Sequence, residues 1–170
     1  TGTSAPSGNV RVMMDNYRDE MVFGTDVGDV IFYDPVPGSY EYYAQENTPG
    51  LDSMVIGEVF ADSYGMFWLI SDRRGIYSFN PEKKVFKYHG LNFADRMFLG
   101  EPDKQLILED SNRDLWIGIN GGGLFLYDRR MDEFIQLQHD PNKTTSISSD
   151  IVLSLYEDRS KNLWIGTSYG

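Results

Sequence analysis

Leu115-Trp116-Ile117-Gly118 recurs as Leu163-Trp164-Ile165-Gly166, and its tryptophan returns a third time at Trp68. The three tryptophans of this 170-residue chain therefore stand 48 residues apart. Working outward, an aspartate lies six residues before each, at Asp62, Asp110 and Asp158. A glycine lies seven residues after the first two, at Gly75 and Gly123, and Phe79-Asn80 and Tyr127-Asp128 follow at equal spacing. A copy without tryptophan lies upstream, with Asp15, Val22-Phe23-Gly24-Thr25, Val30, Tyr33 and Asp34, and with one extra residue in its first turn. Every tryptophan on one phase of one period marks an internal repeat.

Between these anchors the chain reads as short runs of β-branched and aromatic residues separated by Gly, Pro or Asp. The first unit predicts strands over Val10–Asp15, Glu20–Thr25, Val30–Asp34 and Tyr40–Gln45. The second predicts Ile56–Asp62, Met66–Ser71, Gly75–Asn80 and Val85–His89, and the third Gln105–Asp110, Leu115–Ile119, Gly123–Asp128 and Glu133–Gln138. The fourth offers Ile151–Asp158 and Leu163–Thr167. No segment carries a helical apolar stripe. Four short strands per unit of about 40–50 residues indicate an all-β chain, a β-propeller of four-stranded antiparallel blades.

A single such blade has two apolar faces and hides neither alone. Alternation along Leu115–Ile119 puts Trp116 and Gly118 on one face and Ile117 on the other. The indole is expected to fill the space between blades, with the glycine leaving room for it. Each aspartate ends a first strand, where its carboxylate can accept N–H bonds from the following turn. The expected division is a lead-in over 1–9, blades over 10–51, 52–103 and 104–150, and half a blade over 151–170. A closed ring has about four to eight blades, so these residues read as about three and a half blades of a larger, seven-bladed propeller.

Composition narrows the function. A net charge of −11 and a pI near 4.5 oppose nucleic acid and anionic lipid. No apolar run reaches the roughly 18–20 residues that cross a bilayer. Cysteine is absent, so thiol chemistry and disulfides are too. Two histidines 50 residues apart, His89 and His139, make no metal cluster. Asp110-Ser111-Asn112-Arg113-Asp114 imitates the start of a calcium loop, but Leu115 takes the place of its glycine and Gly121 that of its glutamate. Gly121-Gly122-Gly123 lacks the Lys-Ser/Thr of a phosphate loop and reads as a turn needing positive φ. No catalytic residue, metal or cofactor is expected.

The repeat resembles a known family. ILEDSNRDLWIGINGGGLFLYD (107–128) and LYEDRSKNLWIGT (155–167), joined through FIQLQHDPNKTTSISSDIVLS (134–154), resemble the two-component-regulator propeller repeat. Its pattern runs approximately i-x-x-D-x-x-G-x-L-W-I-G-T-x-x-G-G-L-x-x-Y-D. The likeness is strong over 104–170, fair over 56–89, where Leu69-Ile70-Ser71 replaces Ile-Gly-Thr, and weak over 10–45, where Val22 replaces the tryptophan. The turn glycine, Gly65 in the second unit, is expected at Asp114 and Asn162 in the next two.

The resemblance implies a periplasmic sensor region of a hybrid two-component histidine kinase of Bacteroidetes. That region would be non-catalytic, would recognise an oligosaccharide and would control carbohydrate-utilisation genes. Expected partners are the oligosaccharide, the remainder of the propeller and downstream signalling domains, with homodimerisation left open and no nucleic acid.

In a propeller the B-to-C turns and the connectors between blades share one side. Here the connectors 46–54, 90–104 and 139–150 are long and unlike one another, and the B-to-C turns also differ. Variation on one side of a rigid scaffold is where binding is expected. Arg73, Arg74 and Asn120 offer hydrogen bonds there and Tyr169 a stacking face, as a sugar or uronate needs. Two alternatives stand beside sensing: a propeller glycosidase or lyase, and a protein-interaction scaffold. The sialidase Asp-box places its aspartate five residues before tryptophan rather than the six found here, which disfavours the first.

Overall fold

The computed structural model describes residues 8–15, 21–51, 55–71, 75–90 and 106–169, except the side chains of Val12 and Asp15. The chain divides into two compact units, 1–92 and 93–170.

The first unit holds two four-stranded antiparallel sheets in sequence order. One is β1 (Val10–Asp15), β2 (Met21–Thr25), β3 (Val30–Asp34) and β4 (Ser39–Tyr43); the other is β5 (Ile56–Ala61), β6 (Phe67–Ser71), β7 (Gly75–Asn80) and β8 (Val85–Tyr88). The second unit holds a sheet of β9 (Leu106–Glu109), β10 (Leu115–Ile119), β11 (Gly123–Asp128) and β12 (Glu133–Leu137), and a pair, β13 (Val152–Glu157) with β14 (Leu163–Thr167). Each predicted strand is present within a residue or two. The largest offset is in the fourth, which stops two residues early at Tyr43 because Gln45–Asn47 close a 3₁₀ turn with Asn47 N donating to the Ala44 carbonyl.

The sheets pack through alternating side chains. In the first unit Val22, Val30 and Phe32 meet Ile56, Val59, Phe67, Leu69, Tyr77, Phe79 and Phe86 in one buried cluster. Ring centroids lie 4.4 Å apart for Phe79–Phe86, 4.8 Å for Phe32–Phe79 and 4.9 Å for Phe32–Phe67. Each such pair contributes about 0.5–1.5 kcal/mol beyond the area it buries. Trp68 and Ile70 lie on the opposite face of β6 and are fully buried.

The glycine of the Trp-x-Gly triplet has a different purpose from the one expected. A Cβ at Gly118 would lie 2.8 Å from Val152 Cγ1 and 3.4 Å from the Leu106 side chain. The glycine therefore admits the first strand of the following pair, not the indole. The close approach forces the smallest residue there.

The tight turns repeat as closely as the strands. Asp62 donates its amide to the Met66 carbonyl and accepts the Gly65 amide on its own carbonyl, at 2.9 Å each. Asp110 with Asp114 and Arg113, and Asp158 with Asn162 and Lys161, do the same at 2.8–3.0 Å. The residue forced to positive φ is Gly65 (79°), Arg113 (69°) or Lys161 (67°). The counterparts of Gly65 are thus Arg113 and Lys161, three residues after the aspartate, and not Asp114 and Asn162. The loops at Arg113 and Lys161 thus carry backbone strain of about 1–2 kcal/mol that Gly65 avoids.

The third-to-fourth-strand turns follow their own rule. Asp34, Asn80 and Asp128 accept amides of the turn through Oδ1, at 2.9–3.1 Å. Gly38 (67°), Lys84 (55°) and Asp132 (56°) take positive φ. A bulge also recurs in the first strand, between Val10 and Val12, Ile56 and Glu58, and Val152 and Ser154. It breaks the side-chain alternation near the start of each of these strands.

Candidate functional site

Two kinds of polar construction recur, one at each end of the strands. The first is a clasp between aspartate and tryptophan. Asp62 Oδ1 accepts the Tyr64 and Met66 amides at 3.0 Å, while Oδ2 accepts Trp68 Nε1 at 2.9 Å. Asp110 does the same with Asn112, Asp114 and Trp116 at 2.9 Å, and Asp158 with Ser160, Asn162 and Trp164 at 2.8–2.9 Å. The six-residue interval is what lets one carboxylate close the turn and hold the indole. The Asn162 amide, then the Trp164 indole, pull Asp158 down to about 2 from an ordinary 3.8. Hydrogen bonds to the charged form favour that form. These carboxylates are committed to structure.

The second construction lies at the other end of the strands, where connectors meet B-to-C turns. In the first unit Asp29 is buried beside the turn after β2. Its carboxylate accepts the Gln45 amide at 3.0 Å and the Tyr42 hydroxyl at 2.7 Å, so the turn holds the start of the connector. The end of that connector is anchored as well. Leu51 is buried in the core cluster, and a Cβ at Gly50 would lie 2.7 Å from the Phe86 carbonyl oxygen.

In the second unit the connector 139–150 is a closed loop. Asp150 Oδ1 accepts the His139 amide at 2.7 Å, joining its two ends. Ser146 Oγ accepts the Asp140 amide at 3.0 Å, and His139 Nδ1 lies 2.9 Å from the Ile147 carbonyl. A carbonyl only accepts, so that nitrogen carries the ring proton. The loop is then tied to both flanking turns. Gly123 donates its amide to the Asp150 carbonyl at 2.8 Å, Asn120 bridges to Ile151, and Ser168 donates to the Ile151 carbonyl at 3.1 Å. Side-chain hydroxyls meet in pairs, Ser148 with Thr167 at 2.8 Å and Ser149 with Ser168 at 3.0 Å. Gly123 cannot be replaced cheaply, because a Cβ there would lie 2.4 Å from the Leu137 carbonyl oxygen at φ 83°.

Of the residues predicted to bind, Asn120 and Tyr169 fall on this face. Asn120 is half-buried at the bridge. Tyr169, 80% exposed, follows the turn that Ser168 anchors. Arg73 and Arg74 lie outside the described residues. The serine and threonine hydroxyls were not singled out in sequence, since serines in a connector read as polar filler. The run Ser146-Ile147-Ser148-Ser149 directly before the strand was the available signal. Among the described residues no group of three or more His, Cys, Asp or Glu is placed to hold a metal ion, and no helix is long and apolar enough to cross a membrane.

The geometry now defines a class. Two extracellular domains of proteins described as hybrid two component systems, both from B. thetaiotaomicron, superpose with TM-scores of 0.67 and 0.65 at 18% identity. Each alignment covers 98% of this chain and 21% or 22% of the other. The fold is that of a β-propeller, built of four-stranded antiparallel blades. Residues 146–169 match the family model described as the two component regulator propeller. A curated relative, Histidine kinase P4 of Formosa agariphila, is 28% identical over 161 residues. The match spans 90% of this chain and only 11% of that relative.

Proposed function

We propose that the chain is part of the extracytoplasmic, ligand-sensing propeller of a two-component histidine kinase, and that an oligosaccharide is read on the connector face. The observation that carries this reading is the connector 139–150, closed on itself by Asp150 and tied to the turns on both sides. A long loop held this firmly on a rigid scaffold can present side chains in fixed positions. Preorganised groups lose little entropy on binding. Paired hydroxyls beside an exposed tyrosine suit a sugar, whose C–H face stacks on a ring and whose hydroxyls exchange hydrogen bonds.

This stretch is non-catalytic in our reading, because the repeated aspartates are spent on turns and indoles. Further blades of the same repeat are its first partners. One would stack on the open apolar face of Met21, Phe23, Ile31 and Tyr33, another on the face of Tyr156 and Trp164. Kinase and response domains would follow elsewhere in the parent protein, and the location would be periplasmic.

Calorimetric titration of the intact protein against a panel of neutral and uronate-bearing oligosaccharides tests the reading. At least one glycan binds, and Tyr169→Ala weakens it about tenfold, or about 1.4 kcal/mol. Binding that ignores both Tyr169→Ala and Asn120→Ala would move the site off this face. No binding across the panel would leave the scaffold reading in its place.

A further inference from the structure

A concavity lies between the outer parts of the two sheets of the first unit. It is a cleft of about 440 Å³ lined by Phe32, Asp34, Glu41, Phe79, Pro81 and Glu82, with Ser39 and Tyr40 of β4 completing its wall. Beneath it lie the buried rings of Phe32 and Phe79, tilted against each other with centroids 4.8 Å apart. Its rim carries three carboxylates.

The carboxylates are not equivalent. Glu41 is engaged on both oxygens, accepting from the Lys84 ammonium, which balances its charge, and from the Tyr43 hydroxyl. That inter-sheet ion pair closes one wall. Asp34 uses Oδ1 for the Val36 amide at 3.0 Å, and its Oδ2 accepts no hydrogen bond from the described residues. Glu82 has no hydrogen-bond or ion-pair partner among the described residues. Among the described residues no cation other than Lys84 forms an ion pair with these carboxylates, and β4 is the last strand of its sheet.

We propose that this cleft docks an extended segment of a partner protein bearing lysine or arginine. Charge complementarity carries the choice. Two carboxylates without an ion-pair partner at the mouth of a cleft attract an ammonium or guanidinium, whose aliphatic stem can lie along the cleft wall. The end strand β4 offers main-chain groups to an extended chain. An acidic or purely apolar segment would leave Asp34 and Glu82 facing a like charge or dry surface.

Fluorescence anisotropy on the intact protein tests this with a labelled peptide of alternating valine and lysine, its glutamate counterpart, and spermidine as competitor. The lysine peptide binds, more weakly as salt rises, and the glutamate peptide does not. Asp34→Asn with Glu82→Gln lowers its affinity about tenfold. Asn keeps the Oδ1 acceptor of the turn; should the double variant fold poorly by circular dichroism, Glu82→Gln alone decides. Equal binding by the carboxylate variants, or by the glutamate peptide, overturns the proposal. Displacement by spermidine at equal concentration also overturns it, in favour of a small-amine site.

Discussion

The hairpins at Trp68 and Trp164 are the same local structure in two settings. Each indole donates to an aspartate six residues earlier, at 2.9 and 2.8 Å. Yet Trp68 has no exposed surface and Trp164 is 61% exposed. The clasp therefore depends on the ten or so residues of its own hairpin, whereas burial depends on what covers the face. Local geometry comes with the repeat; the energy it contributes does not.

The sharpest test of that contrast is truncation of the indole. Trp68→Ala is expected to cost about 3–5 kcal/mol, in the range for a buried aromatic. Trp164→Ala should cost under about 1 kcal/mol in the same chain, and thermal or urea unfolding measures both. Equal losses would mean that burial is not what separates them. Next comes the carboxylate. Asp62→Ala leaves two turn amides and a buried indole N–H unpaired, at about 1–3 kcal/mol. Asp158→Ala leaves the same groups open to water and should shift the melting temperature much less.

Smaller effects sharpen the comparison further. Lys161→Gly should stabilise by about 0.5–1 kcal/mol, because it relieves a side chain at φ 67°. Asn162→Gly, one residue on, should stabilise nothing; the reverse order would restore the turn assignment expected from sequence. The smallest effect concerns acid. The folded-state value of Asp158 lies near 2, below an unfolded value of about 3.9. Its contribution is therefore complete above the unfolded value and is lost as pH falls through about 2. Melting temperatures compared with Asp158→Asn should converge toward the acid end and part above it.

Most of the fold was legible because each strand is short, apolar and bounded by turn residues at one spacing. What escaped were details that depend on a single residue of offset. The first-strand bulge inserts a residue invisible to an alternation pattern. The positive-φ position was assigned one residue late, since Asn162 looks better suited to it than Lys161. The interval from aspartate to tryptophan was evident, but its second hydrogen bond requires the indole to turn back over the loop, which spacing alone does not say. The connector face was legible as a place of variation. Its hydroxyl pairs were not, because they join residues 19 apart across strands β13 and β14.

One consequence of the clasp lies outside binding and stability. An indole whose N–H is held by a carboxylate, and whose surroundings range from sealed to open, emits according to those surroundings. Trp68, the half-covered Trp116 and Trp164 thus form a graded set of natural fluorophores with matched chemistry. When anything settles over the outermost one, its emission should move to the blue with no label attached.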